Sequence, residues 1–356
     1  MRSVPSCVAA DLICSVHGLN GPFQIAESMR IFSQSRNAMG TVFAIHLYAE
    51  SEPEALSFLE VAFEEVERLE ETLSKFRPSS EICRINRLAS SQPVTTDPEV
   101  FSLIDRALRY SEQTAGAFDI TVGPLMRTWG FFRADGHFPS SDDLNAARER
   151  TGFKKIVVDP DTRAIQFSVP GMELDLGAIG KGYAVDQAVE ILNDAGVQAA
   201  LVVVGSSTVY ALGTPPDEEG WKIHVPDPAE RTRKISTLTL RDRAISTSGN
   251  YERFFDLDGR RYGHVMDPRT GMPVEGVLQT TLVGSEGAMT DAISNALFVL
   301  GTDGEELLRK AGDVSALSVL TDGPAQRILK WNWPDAAIEP SEIIDFEPRY
   351  GRAQAS

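Results

Sequence analysis

The segment of this chain best equipped for chemistry is Tyr262-Gly263-His264-Val265-Met266-Asp267-Pro268-Arg269-Thr270-Gly271-Met272-Pro273, which brings an imidazole, a carboxylate and a guanidinium together. It cannot be an uninterrupted helix or strand. Pro268 removes a backbone donor and pushes Asp267 out of the helical region, Gly271 permits positive φ, and Pro273 closes the excursion. Reactive groups on such a stiff loop are held in place. His264 is the leading general-base candidate, with Asp267 as the carboxylate that orients or replaces it. The plainer reading is an Asx-turn in which Asp267 caps the backbone, Arg269 is solvated and His264 packs at a strand end.

Three further segments carry groups suited to handling phosphate. Asp175-Leu176-Gly177-Ala178-Ile179-Gly180-Lys181-Gly182-Tyr183 is a glycine-rich turn opening a helix, so free amides and the positive end of the dipole face an anion, and Lys181 adds a point charge. It is not a Walker A loop, because Asp175 stands where the first glycine is required and Gly182 follows the lysine, nor is it a dinucleotide fingerprint. A glycine cap and tight turn is the alternative. In Met289-Thr290-Asp291-Ala292-Ile293-Ser294-Asn295-Ala296, Asp291 and Asn295 share one helix face. Their oxygens, completed by a backbone carbonyl and phosphate oxygens, suit Mg²⁺, whereas the alternative makes Thr290 or Asp291 an N-cap. Gly116 to Leu125 reads as a short strand with Asp119 at its start, followed by Trp129-Gly130-Phe131, aromatics that stack on a planar ring or fill core.

The elements that must position these groups follow from periodicity. Gly40–Ala49 alternates and is rich in β-branched and aromatic residues, as a strand requires. Glu52–Leu73 places Ala55, Leu59, Ala62, Phe63, Val66, Leu69 and Leu73 at helical spacing, and Val100–Thr114 predicts a second helix. Short strands at Lys155–Val158, Ala164–Ser168, Ala200–Val204, Trp221–Val225, Ile235–Leu240 and Leu278–Val283 surround helices at Ile179–Ala195 and Ala288–Leu300. Gly259 marks a hairpin leading into His264. Grouped rather than alternating helices predict α+β with mainly antiparallel sheets and packed helices.

Composition narrows the class. With 356 residues, 42% of them hydrophobic, the chain is globular material, and its net charge of −17 disfavours nucleic acid and anionic lipid partners. A phosphate-bearing ligand must therefore be held locally, by metal, amides or placed cations. Cys7, Cys14 and Cys83 have neither metal nor disulfide-framework spacing. No apolar run approaches the ~20 residues of a spanning helix, so no transmembrane segment is expected. Residues 1–35 read as a loosely structured extension, with Met29 an alternative start, 36–335 as one large domain or two intimately packed lobes, and 336–356 as a tail. Without a convincing signal peptide or lipobox the expectation leans cytoplasmic.

Taken in order, the segments resemble the FAD:protein FMN transferase (ApbE) family. The resemblance rests on Ala38-Met39-Gly40-Thr41, Leu73-Ser74-Lys75-Phe76 with Ser80-Glu81-Ile82 and Asn86, Phe118 to Leu125 with Trp129-Gly130-Phe131, Glu173 to Ile179 with Lys181 to Asp186, Ser246 to Tyr251, His264 to Pro273, and Thr290-Asp291. It implies a T-fold-like α+β domain that binds FAD and Mg²⁺ and moves FMN to a threonine of an acceptor flavoprotein, releasing AMP. Carried over, the flavin and nucleotide contacts fall on Met39, Phe76, Ala117, Phe118, Asp119, Asp175, Lys181 and Met266. The metal contacts fall on Ala178, through its carbonyl, and on Asp291, Ser294 and Asn295. The family is also often exported and membrane-anchored. This chain departs from its pattern at Phe76, usually tyrosine, at Asn295, usually threonine, and at Gly205-Ser206-Ser207, usually Gly-Gly followed by an acid. The competing reading is an FAD-binding protein, or an FAD pyrophosphatase that uses water in place of the threonine.

Overall fold

Alternating strands build the central sheet, which a computed structural model describes together with the rest of residues 29–132, 136–251, 253–322, 325–334 and 343–345. Its nine strands lie side by side in chain order: Arg30–Ala38, Thr41–Ala49, Ala199–Val204, Thr208–Gly213, Arg243–Gly249, Val277–Gly284, Ser315–Asp322, Ala325–Trp331 and Ile343–Asp345. Neighbours are antiparallel except the last pair, which is parallel. The first strand begins at Arg30, ahead of the boundary at Ser35 expected from sequence. It is an edge strand whose polar residues leave one side open to solvent, which hides it from a search for apolar alternation. The remainder of the expected extension, including Cys7 and Cys14, lies outside the described residues, as does most of the expected tail.

The eight helices of the described chain are α1 (Glu52–Leu73), α2 (Glu81–Leu88), α3 (Pro98–Gln113), α4 (Gly123–Thr128), α5 (Ser141–Glu149), α6 (Gly180–Asp194), α7 (Gly287–Leu300) and α8 (Glu305–Ala311). Every apolar position read as the buried stripe of α1 is buried. One core lies between the helices and one face of the sheet, joining Phe43, Ile45 and Leu47 to α1, α3, α6 and α7. A second lies under the hairpin Trp221–Pro226/Lys234–Leu240 on the other face, around Leu201, Val203, Trp221 and Leu317. Ala199–Val204, buried on both faces, accordingly shows no alternation. The architecture is α+β with mainly antiparallel sheet. Among the described residues no helix is long and apolar enough to cross a membrane.

One element differs in kind. The strand expected at Asp119 is a turn leading into α4, because the Asp119 carboxylate takes the Thr121 amide at 2.8 Å and the Thr121 hydroxyl at 2.7 Å, bending the chain back on itself. Gly123-Pro124 then starts the helix, where proline's missing donor costs nothing.

α6 and α7 meet at two glycines. A Cβ on Gly182 would overlap the Gly287 carbonyl and lie 2.8 Å from the Ala288 nitrogen, and a Cβ on Gly287 would lie 2.6 Å from the Gly182 oxygen. Only hydrogen at both positions lets the two backbones approach this closely. The head of α6 is thereby set against the first turns of α7.

Candidate active site

The glycine-rich turn is pinned from below. Asn86 brackets Leu174, accepting from its amide at 2.7 Å and donating to its carbonyl at 3.1 Å, and the Asp175 amide donates to Ile120 at 2.7 Å. The Asp119 turn and the Asp175 loop therefore lie together. Asp119 also accepts from the Phe153 amide at 2.7 Å, and burial pushes its carboxyl up. Ala117 and Phe118 are each 2% exposed and packed in the core, so what they can offer a ligand is main chain.

Asp175 is paired with the ammonium of Lys75 and accepts from Gly177 N at 2.9 Å. The ammonium lies 3.7 Å from the ring centre of Phe132 and 5.0 Å from that of Phe76. Burial pulls the lysine pKa down while Asp175 pulls it back up. Phe76 itself is 64% exposed and meets Phe132 edge to face. It presents an open aromatic surface beside a half-buried cation.

At the head of α6 the free amides find an anion that belongs to the protein. Gly182 N donates to the Asp291 carboxylate at 3.2 Å, across the glycine crossing. Lys181 lays its ammonium on the Gly177 carbonyl at 3.0 Å, keeping its charge at the same helix end, one turn from Ala178. Asp291 is not an N-cap: it lies inside α7, whose first amides, Gly287 and Ala288, are capped instead by Asp186 of α6. Burial raises the Asp186 pKa to about 6. Ser294 Oγ donates to the Asp291 carbonyl at 3.1 Å and pairs with Ser248 Oγ at 2.9 Å, while Asn295 donates Nδ2 to the same carbonyl at 2.9 Å.

These donors fit a hard cation. Asp291, Ser294, Asn295 and the Ala178 carbonyl offer oxygen only, and Asp291 is 4% exposed. Among the described residues no group of three or more His, Cys, Asp or Glu is placed to hold a metal. A cation here would have one protein carboxylate and neutral oxygens, which leaves coordination positions for phosphate, the habit of Mg²⁺ rather than of a zinc centre.

The loop from His264 follows the hairpin Phe254–Leu257/Arg260–Gly263. His264 donates its amide to the Arg253 carbonyl at 3.0 Å and sets Nδ1 3.1 Å from the same oxygen. That bond fixes the ring and places the lone pair of the neutral imidazole on Nε2. Asp267 closes an Asx-turn, accepting from Arg269 N at 2.9 Å, and binds the Arg269 guanidinium through both carboxylate oxygens at 2.9 Å. Arg269 is thus a partner of the carboxylate rather than a solvated charge. Trp129, fully buried, donates Nε1 to Gly271 O at 2.9 Å and packs with Tyr262, Phe255 and Met266, so it is core and a prop for the loop. Met266 is 5% exposed within this cluster.

Two features close the arrangement. Met39 and Gly40 form the tight turn between the first two strands, both with positive φ, 52° and 72°, which is costly for methionine and marks a conformation imposed by its surroundings. Arg253, absent from the sequence reading, reaches this turn: its Nη2 comes within 3.9 Å of where a Cβ on Gly40 would lie. Gly205, with φ 51°, donates to Val42 O at 2.8 Å, so the Gly205-Ser206-Ser207 departure sits beside the same strand end. A cleft lined by Leu297, Leu308, Leu329 and Trp331 lies at the opposite end of α7 and carries none of these groups.

With the geometry in hand, similarity to known proteins is informative. The ApbE family matches the chain over residues 39–318. An FAD:protein FMN transferase of Klebsiella pneumoniae (strain 342) is 35% identical over 296 residues, covering 82% of this chain and 89% of the relative. One of Treponema pallidum (strain Nichols) is 32% identical, covering 87% and 89%. Among solved structures, the ApbE protein of Thermotoga maritima matches with a TM-score of 0.76 at 31% identity, covering 82% of this chain and 94% of that one. The apo flavinyl transferase ApbE of Pseudomonas stutzeri gives 0.76 at 28% identity, covering 86% and 96%. Fold and matches together define an α+β transferase enzyme. More narrowly, the chain belongs to the ApbE family.

Proposed function

We propose that this flavin transferase moves FMN from FAD onto a threonine hydroxyl of an acceptor flavoprotein and releases AMP, in a reaction that requires Mg²⁺. The observation that carries the reading is the junction of α6 and α7, where the Gly182 amide at the head of α6 meets the buried carboxylate of Asp291 and Lys181 keeps its charge at the same helix end. A site with one carboxylate and several neutral oxygens is suited to a cation shared with the phosphates of a nucleotide.

The chemistry is transfer of a phosphorus centre from one oxygen to another. The threonine oxygen bonds to the FMN phosphorus, the pyrophosphate P–O bond breaks, and AMP leaves with the bridging oxygen. His264, its ring held by the Arg253 carbonyl, takes the hydroxyl proton on Nε2. Asp267, paired through both oxygens with Arg269, keeps the loop in shape. Asp291, Ser294, Asn295 and the Ala178 carbonyl would hold Mg²⁺, which would offset charge on the non-bridging oxygens. Lys181 and the amides at the head of α6 add positive potential on the same side. The exposed ring of Phe76 and the Met39 turn are offered to the flavin, and Asp175 to the nucleotide half.

The test is the mass of a flavodoxin-like acceptor incubated with the protein, FAD and Mg²⁺. It should rise by one FMN less one water, and replacing the acceptor threonine by valine should abolish the gain. An acceptor of unchanged mass contradicts the proposal. AMP formed with FMN released free makes the protein an FAD pyrophosphatase.

A further inference from the structure

Arg253 joins two parts of the site that the resemblance treats separately. Its register opposite His264 follows from the hairpin, in which Phe254 pairs with Gly263. Its carbonyl takes both the amide and Nδ1 of His264. Its side chain runs the other way, toward the Met39–Gly40 turn, and is exposed.

Among the described residues the Arg253 guanidinium has no acidic partner within ion-pair distance. The ammonium of Lys75 stands near enough that, after burial as the main cause, the Arg253 charge helps to hold the lysine pKa down. Asp175 pairs with that ammonium, and Glu173, which also acts on it, is itself paired with Arg127 at 2.7 Å. Arg253 is a second cation beside the Lys75–Asp175 pair in a chain of net charge −17, an arrangement that an arriving anion completes. Arginine's forked donors suit phosphate oxygens in particular.

We propose that Arg253 is a phosphate-binding residue whose guanidinium takes a non-bridging oxygen of the dinucleotide's pyrophosphate, while its carbonyl holds His264 in register with that phosphate. One residue thereby fixes the distance between anion and base. The assignment deepens the proposed function and rests on it for the identity of the anion.

The experiment is calorimetric titration of the full chain with Mg²⁺ present, using ADP as a pyrophosphate probe and riboflavin as a phosphate-free one. Arg253→Gln should weaken ADP about 10- to 100-fold, the value of a charged hydrogen bond, and Arg253→Lys should recover part of that loss. Riboflavin affinity should stay within about twofold in both variants, because the backbone carbonyl and the flavin surface are untouched. Wild-type ADP affinity in Arg253→Gln, or an equal loss of ADP and riboflavin, overturns the assignment. The two readings separate cleanly. Arg253-dependent ADP binding in a protein that labels no acceptor sinks the transfer reading and leaves the phosphate site standing. Acceptor labelling with ADP affinity indifferent to Arg253 does the reverse.

Discussion

Gly182→Ala tests whether the glycine crossing between α6 and α7 sets the site. The added methyl would overlap the Gly287 carbonyl and come 2.8 Å from Ala288 N. Overpacking costs ~1–3 kcal/mol, and an obstacle made of another helix's backbone belongs at the upper end because no side chain can rotate aside. Alanine's better helix propensity returns about 1 kcal/mol. The net is roughly 2 kcal/mol destabilising, a fall in Tm of about 4 °C in a chain of this size. Function should suffer more than stability. Moving α6 by the roughly 1 Å that overpacking against backbone demands to seat the methyl lengthens the 3.2 Å bond from Gly182 N to Asp291 and detaches the metal-site carboxylate from the helix head. Gly180→Ala is the control: its Cβ would meet Leu176 at 3.7 Å, an ordinary contact, and should leave stability level or higher. Gly182→Ala combined with Gly287→Ala should cost less than the sum, since the first already separates the helices. Calorimetric unfolding and the FMN transfer rate are the assays. A Gly182→Ala protein as stable and active as wild type, or a damaged Gly180→Ala, refutes the reasoning.

Other perturbations give distinct outcomes. Asp291→Asn keeps an acceptor for Gly182 N and should retain the fold while losing Mg²⁺-dependent transfer, whereas Asp291→Ala leaves that buried amide unpaired and should lose a further ~1–3 kcal/mol by denaturant unfolding. His264→Ala should slow transfer by ~10²–10⁴-fold with FAD affinity nearly unchanged in a flavin fluorescence titration, and an unchanged rate makes His264 structural. Asp186 has a folded pKa raised to about 6 from 3.8, so its contribution to stability is fully present below the unfolded value and is lost as pH climbs toward 6. Guanidinium unfolding at pH 4.5 and 6.5 should show that decline in wild type and not in Asp186→Asn.

Much of the frame was legible because local periodicity and burial agree. The stripe Ala55, Leu59, Ala62, Phe63, Val66, Leu69 and Leu73 predicted α1 to its ends, since every member faces the core. Arg30–Ala38 was not legible, because an edge strand of alternating Ser, Gln and Arg shows no apolar rhythm. The strand read at Asp119 failed for a related reason: a side chain that bonds its own backbone converts β-like residues into a turn. In the site, residue types and local turns were readable, and long-range pairings were not. Nothing in the chain says that Gly182 meets Gly287, or that Lys75 meets Asp175. Arg253 had a usable signal. Once Gly259 is taken as a hairpin turn, counting back along the ladder from Gly263 puts Arg253 opposite His264.

The central claim is that one event at this site breaks the pyrophosphate and labels the acceptor. The most direct measurement is the ratio of AMP released to acceptor labelled, followed through a single time course with FAD, Mg²⁺ and the threonine-bearing acceptor. The account predicts a ratio of one AMP per labelled acceptor at every time point, with neither product formed when the acceptor is omitted. AMP accumulating ahead of the label, or at full rate without acceptor, would show that water takes the threonine's place and would contradict the account.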